Sequence, residues 1–139
     1  MITENILQYI PQRPPFIMVD KLLYADLEKA TSNLTITNEN IFSEDGYFSE
    51  AGLLENIAQT VAAGNGFNEQ QANKKASGGF IAGVKNFQVF FLPKVNEVLT
   101  TDIVVAGKIF NMTTITGKIM CNSELVAQCE MKIFSNAND

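Results

Sequence analysis

The stretch SEAGLLENIAQTVAAGNGF, residues 49–67, decides how the rest of the chain is read. Ser49 is a good N-cap, and Glu50 follows in the first turn, where the helix dipole favours a negative charge. Leu53, Leu54, Ile57, Ala58 and Val61 recur at helical spacing, and Ala62 and Ala63 leave almost no polar face. A helix that is apolar nearly all round belongs inside a fold. Gly64 and Gly66 supply the expected stop. Four polar residues interrupt this cylinder: Glu55, Asn56, Gln59 and Thr60. Glu55 and Gln59 lie one turn apart and share a face. A carboxylate on a buried helix is costly unless it is paired or hydrogen-bonded. Glu55 is therefore the first candidate for chemistry, the plainer alternative being a helix edge that meets water.

Upstream, residues 38–48 read as a polar loop with apolar anchors at Ile41, Phe42, Tyr47 and Phe48. Residues 30–37 alternate, Leu34 and Ile36 against Thr35 and Thr37, and form a strand. Residues 16–26 read as another strand, with a polar turn at 26–29. Ile6, Leu7 and Ile10 give a short helix over residues 2–10 that Pro11 stops, and Pro14-Pro15 forces extended chain. Downstream, residues 68–77 are a solvated connection. A long strand follows over 79–92, with Phe87, Val89 and Phe91 on one face and Pro93 at its end. Residues 97–110, 112–122 and 125–134 are three more strands, joined by turns at 111 and 122–124, before a frayed tail, SNAND. The order predicts an α+β fold: an antiparallel sheet, its last four strands in meander, curled around one helix. The long 79–92 strand has an edge on which a second copy can pair.

At 139 residues the chain fits one domain with a proper core. A net charge of −5 argues against general nucleic-acid binding, although Arg13, Lys74, Lys75, Lys85 and Lys94 offer material for a local basic patch. No apolar run approaches the ~20 residues that span a bilayer. The opening MITENILQYIPQR lacks a basic n-region and an apolar h-region, so a cytoplasmic address is expected. The chain contains no histidine. That excludes a Ser-His-Asp triad, a Cys-His pair and any imidazole base, and leaves no metal site expected. Gly78-Gly79 and Gly83 lack the spacing of a phosphate loop, and no cofactor is expected. Cys121 and Cys129 share strand parity and read as buried free thiols.

Three blocks in series carry a family resemblance. IPQRPPFIMVDKLLYAD resembles the opening LPHRxPMLLLDRV of 3-hydroxyacyl-ACP dehydratases of the hotdog fold. GYFSEAGLLENIAQTVAA resembles the GHxPxWxxxExMAQTVA block of the ApeP-like dehydratases, which serve aryl polyene synthesis, and GGFIAGVKNFQVFFLPKVNEVL resembles their GxLLGxRxYRxxxPxFPxGxxL. Together the blocks cover most of residues 9–107 in order. The resemblance implies a single hotdog domain over 1–139, with the sheet wrapped around one long central helix.

It also implies a site. In that family a histidine removes the proton α to the thioester carbonyl, the helix carboxylate assists departure of the 3-hydroxyl, and a backbone N–H near the helix start polarises the carbonyl. Carried over by position, the carboxylate is Glu55 and the histidine position holds Tyr47. Ser49-Glu50 replaces the Pro-Gly or Pro-Ala that follows, and Gln12 replaces the histidine of the opening block. Phe48, Gly52, Ala58, Gln59, Ala62 and Phe87 are the expected substrate-binding residues. Ala58, Ala62 and Ala63 face Phe87, Val89 and Phe91 across a narrow apolar channel for an acyl chain.

Tyrosine, with a reference pKa near ~10, is a poor base near neutral pH. Three readings stay open: a dehydratase using Glu55 alone or with Tyr47, a thioesterase in which Glu55 activates water or attacks the thioester, and a non-catalytic partner of a second hotdog subunit. The implied partners are an acyl carrier protein or a CoA thioester, met by Arg13, Lys85 and Lys94, and a second copy in a homodimer. No nucleic acid and no membrane are expected among them.

Overall fold

The computed structural model describes residues 5–74 and 79–135. The expected connection at 75–77 with its Lys75, Gly78, residues 2–4 and the tail from 136 onward lie outside that set. Helix α1, Glu50–Gln71, is capped as expected: Ser49 is extended and its Oγ accepts the Gly52 N–H at 3.4 Å. It does not stop at the glycines. Gly64 and Gly66 lie within the helix, and residues 68–71 of the expected connection are helical too. The reason is packing. A Cβ on Gly64 would stand 2.8 Å from the Ala30 Cβ, and one on Gly66 would collide with the backbone carbonyl of Tyr9. These glycines permit close approach. Termination falls to Asn73, which takes a left-handed conformation (φ 55°) just past the Ala72 cap, while the Lys74 N–H returns to the Glu69 carbonyl at 2.9 Å.

Six strands form one antiparallel sheet: β1 (Lys21–Ala25), β2 (Lys29–Thr35), β5 (Gly79–Val89), β6 (Val98–Ile109), β7 (Met112–Cys121) and β8 (Glu124–Ser135). Their order is β1-β2-β6-β7-β8-β5. The expected four-strand meander is corrected here, because only β6, β7 and β8 run in meander. β6 is flanked by β2 on one side and β7 on the other, so β5 finds its partner in β8, from Gly79↔Ser135 to Val89↔Ala127. The β7–β8 turn is made by Asn122 and Ser123, both at positive φ, as a tight two-residue hairpin requires.

Three local expectations also change. The N-terminal helix is one 3₁₀ turn, Ile6–Gln8, started by Asn5, whose Oδ1 accepts the Leu7 N–H at 3.3 Å. The strand expected over 16–26 begins only at Lys21, because the chain before it is held by helix side chains. The loop at 38–48 contains a small hairpin, β3 (Ser43–Glu44) with β4 (Tyr47–Phe48), turned by Asp45-Gly46 at φ 54° and 85°.

α1 packs across β1, β2, β6 and β7. Leu53 and Ile57 from the helix meet Leu99, Ile115 and Ile119 from the sheet in a fully buried core. The approach is tight at Gly117, where a Cβ would stand 2.6 Å from Ile57 Cγ2. Cys121 and Cys129 are free and buried on β7 and β8. Burial pushes both thiols up, Cys129 to about 11.

Candidate functional site

The four polar residues of α1 do not face water together. Asn56, Gln59 and Thr60 are fully buried, and Glu55 is half-buried beside them. Their partners come from the segment that leads into β1. Gln59 Oε1 accepts the Met18 N–H at 2.7 Å, and its Nε2 donates to the Phe16 carbonyl at 2.8 Å. The Asn56 Nδ2 donates to the Met18 carbonyl at 2.7 Å. Residues 16–18 thus meet two side-chain amides in the pattern a neighbouring strand would offer. This is why β1 starts late.

The same Gln59 Nε2 donates its other proton to Glu55 Oε2 at 2.7 Å. Because the Met18 N–H can only donate, Gln59 must turn its oxygen to Met18 and its NH₂ to Glu55. Glu55 Oε1 makes no hydrogen bond among the described residues. The arrangement is a half-buried carboxylate with one oxygen tethered and the other open, able to take up or deliver a proton to a bound molecule.

Behind it lies a buried relay. Asn56 Oδ1 accepts the Thr101 hydroxyl of β6 at 2.5 Å, and Thr60 Oγ1 donates to the Asn56 carbonyl at 2.8 Å. Ser32 of β2 lies 2.7 Å from Thr60 Oγ1 and supplies the proton there, since the Thr60 proton is already used. Gln59 is thus tied directly to residues 16–18, while Asn56 and Thr60 tie the same helix to β6 and β2.

The other expected site residues sit on α1, β4 and β5. Ala58 and Ala62 are half-buried, three and seven residues beyond Glu55 on its side of the helix. Phe87 is half-buried on β5. Phe48 is fully buried, and Gly52 admits its ring: a Cβ on Gly52 would stand 2.5 Å from Phe48 Cζ. The helix start is pinned to its surroundings, with the Ser49 N–H on the Phe42 carbonyl and the Phe48 N–H on that of Pro93, both at 2.9 Å.

Tyr47 points the other way from Phe48 and is 43% exposed. Its hydroxyl makes no hydrogen bond among the described residues, so nothing bonds it to Glu55 or Gln59. Gln12 has a buried Oε1 without a partner among the described residues. Among the described residues, one hollow lies along β6 and β7 at Asp102, Val104, Thr116 and Lys118, and another around Asn86, Gln88 and Gln128.

The sequence singles out none of Phe16, Met18 and Thr101, and Asn56 only as a polar residue on an apolar helix. The signal for Asn56 is the demand of any buried amide for partners. Nothing in the sequence names Phe16, which is 59% exposed although its carbonyl shares the Gln59 amide with Glu55.

The family model described as ApeP-like, ApeP dehydratase, matches residues 4–139. The chain belongs to the ApeP-like dehydratase family. It is 26% identical, over 94% of each chain, to the 3-hydroxyacyl-[acyl-carrier-protein] dehydratase FabZ of Thiobacillus denitrificans. Among solved structures it resembles the dehydratase heterocomplex ApeI:P from Xenorhabdus doucetiae, with a TM-score of 0.87 at 14% identity, covering 96% of this chain and 91% of that one. A hypothetical thioesterase from Streptococcus pneumoniae TIGR4 matches with a TM-score of 0.69 at 10% identity, over 85% and 91% of the two chains. The fold of this ApeP-like chain is thus the hotdog fold, its six-stranded antiparallel sheet wrapped around one long helix. Among the described residues, no helix is long and apolar enough to cross a membrane.

Proposed function

We propose that this ApeP-like chain is a single hotdog domain that binds acyl thioesters and dehydrates 3-hydroxyacyl groups through Glu55. The observation that carries the reading is the half-buried Glu55 carboxylate, tethered by Gln59 through one oxygen and without a hydrogen bond to the other among the described residues. The substrate class rests on family membership and on the 3-hydroxyacyl-[acyl-carrier-protein] dehydratase relative.

One carboxylate suffices for the balance of the reaction. Glu55 takes the proton α to the thioester carbonyl and passes it to the departing 3-hydroxyl. The C–H and C–O bonds break, the C=C bond forms, water leaves and Glu55 is regenerated. The thioester oxygen gathers negative charge on the way, and an N–H of the first turn of α1, near Gly52, is suited to receive it. Tyr47, where the family has its base, contributes a hydroxyl at the mouth.

The acyl chain runs along Ala58 and Ala62 towards Phe87, with Phe48 behind Gly52 shaping the helix start. The thioester arrives on an acyl carrier protein or CoA, with Arg13, Lys85 and Lys94 meeting its anionic groups. We assign the work to acyl-chain synthesis of the fatty acid or aryl polyene kind, in the cytoplasm, by a dimer paired along β5. The tyrosine at the base position favours one further reading, a non-catalytic partner to a second hotdog subunit.

The test is intact-mass analysis of a 3-hydroxyacyl carrier protein incubated with the chain and, separately, with Glu55→Gln. Loss of one water, absent in the variant, is the expected result. Release of the whole acyl group would make the chain a thioesterase, and an unchanged substrate would leave the partner role.

A further inference from the structure

Gln59 has no N–H to spare for a ligand. Both amide protons are committed, to the Phe16 carbonyl and to Glu55 Oε2, and its oxygen holds the Met18 N–H. Asn56 is held at both ends, its Nδ2 donating one proton to the Met18 carbonyl and its Oδ1 accepting the Thr101 hydroxyl. Met18 is thus gripped by both of its backbone groups, from two residues one turn apart on the same helix. We infer that Gln59 and Asn56 are positioning residues, which together fix the Glu55 carboxylate against the 16–18 segment, with Thr101 as their anchor on the sheet.

The inference deepens the proposed reaction and rests on Glu55 being its reacting group. It reassigns Gln59 from touching the substrate to acting through Glu55. Thr101 gives the sharpest discrimination. It is fully buried on β6, out of reach of a substrate, and its hydroxyl bonds Asn56.

Gln59→Met keeps side-chain length and removes all three bonds, while Thr101→Val keeps side-chain shape and removes one. The readouts are hydrogen exchange of the Met18 amide in the full chain, and steady-state dehydration of a 3-hydroxyacyl pantetheine thioester. In Gln59→Met, Met18 exchange should quicken by about tenfold or more, since its acceptor is gone. The kcat should fall by about tenfold or more with KM within about twofold of the parent. Thr101→Val should lower kcat about threefold or more, again without raising KM.

A raised KM at unchanged kcat in Gln59→Met would make Gln59 a substrate contact and overturn the inference. Unchanged Met18 exchange in that variant would do the same. Should Gln59→Met fail to fold, Thr101→Val decides: a normal kcat there overturns the inference. If the parent chain does not turn the thioester over, the dehydratase reading falls separately, and the clamp is then judged by Met18 exchange alone.

Discussion

Glu55 and Gln59 share one hydrogen bond, and their roles separate on what each leaves free. Glu55→Gln keeps an oxygen for the Gln59 N–H but cannot exchange a proton. Dehydration measured by mass should drop by roughly 10²–10⁴-fold, the usual worth of a positioned acid or base. The variant should melt close to the parent, because the site of change is half-buried and the tether survives. Cys129 supports a second prediction at this scale. Its thiol is pushed up by burial from 9.0 to about 11, so the folded chain keeps the proton that the unfolded chain releases. Its contribution to stability is fully present below pH 9.0 and is lost as pH rises through about 11. Urea titrations at pH 8 and near pH 10.5 should show a larger loss for the parent than for Cys129→Ala. Equal losses would show that this thiol does not set the alkaline limit. The sequence makes the helix carboxylate legible, since a charge within an apolar helix needs an explanation. The task of Gln59 was not legible, because its partners lie 41 and 43 residues away in sequence.

At the scale of elements, the start of α1 is legible and its end is not. Ser49 and Glu50 act locally, so their meaning survives in the folded chain. A glycine has two meanings, a stop or a close approach, and only the tertiary neighbour chooses between them. The expected stop at Gly64 and Gly66 is displaced to Asn73, while Ala30 and Tyr9 occupy the space that a side chain would need. Gly66→Ala therefore sets two effects against each other. Helix propensity favours alanine by about 1 kcal/mol. Against it, the new Cβ would collide with the Tyr9 backbone carbonyl, which has no rotamer with which to retreat. Overpacking of this kind costs typically ~1–3 kcal/mol, so the net change in urea-derived stability should be a loss. A gain would mean that the N-terminal segment detaches easily from the helix. Strand existence is likewise legible from alternation, whereas strand order is not. β5 reads identically whether its partner is β6 or β8, and the choice depends on β2 having already taken the free side of β6.

The whole molecule leaves an imbalance between its two sheet edges. β1 is five residues long, and a strand so short offers little to pair with. β5 is eleven residues long, pairs among the described residues with β8 alone, and exposes Phe80, Ile81 and Val84 at 56%, 43% and 37%. An unpaired edge of that length, carrying apolar side chains, is an aggregation hazard unless something covers it. A second copy running antiparallel along β5 would satisfy both edges at once by a two-fold axis and close the assembly. The same pairing would bring the half-buried Phe87 towards the partner's helix, so the acyl channel would be completed between two chains. Light scattering at micromolar concentration should therefore give twice the chain mass of 15.3 kDa. In the double variant Ile81→Glu/Val84→Glu, like charges would meet across the axis, and the mass should fall to that of one chain with the far-ultraviolet circular dichroism retained. Turnover should fall with it, because Glu55 would keep its tether but lose the far wall of the channel. A double variant that remains dimeric would remove β5 from the interface. One that is monomeric and fully active would confine the whole site to a single chain, with Glu55, Gln59 and residues 16–18 sufficient to hold it.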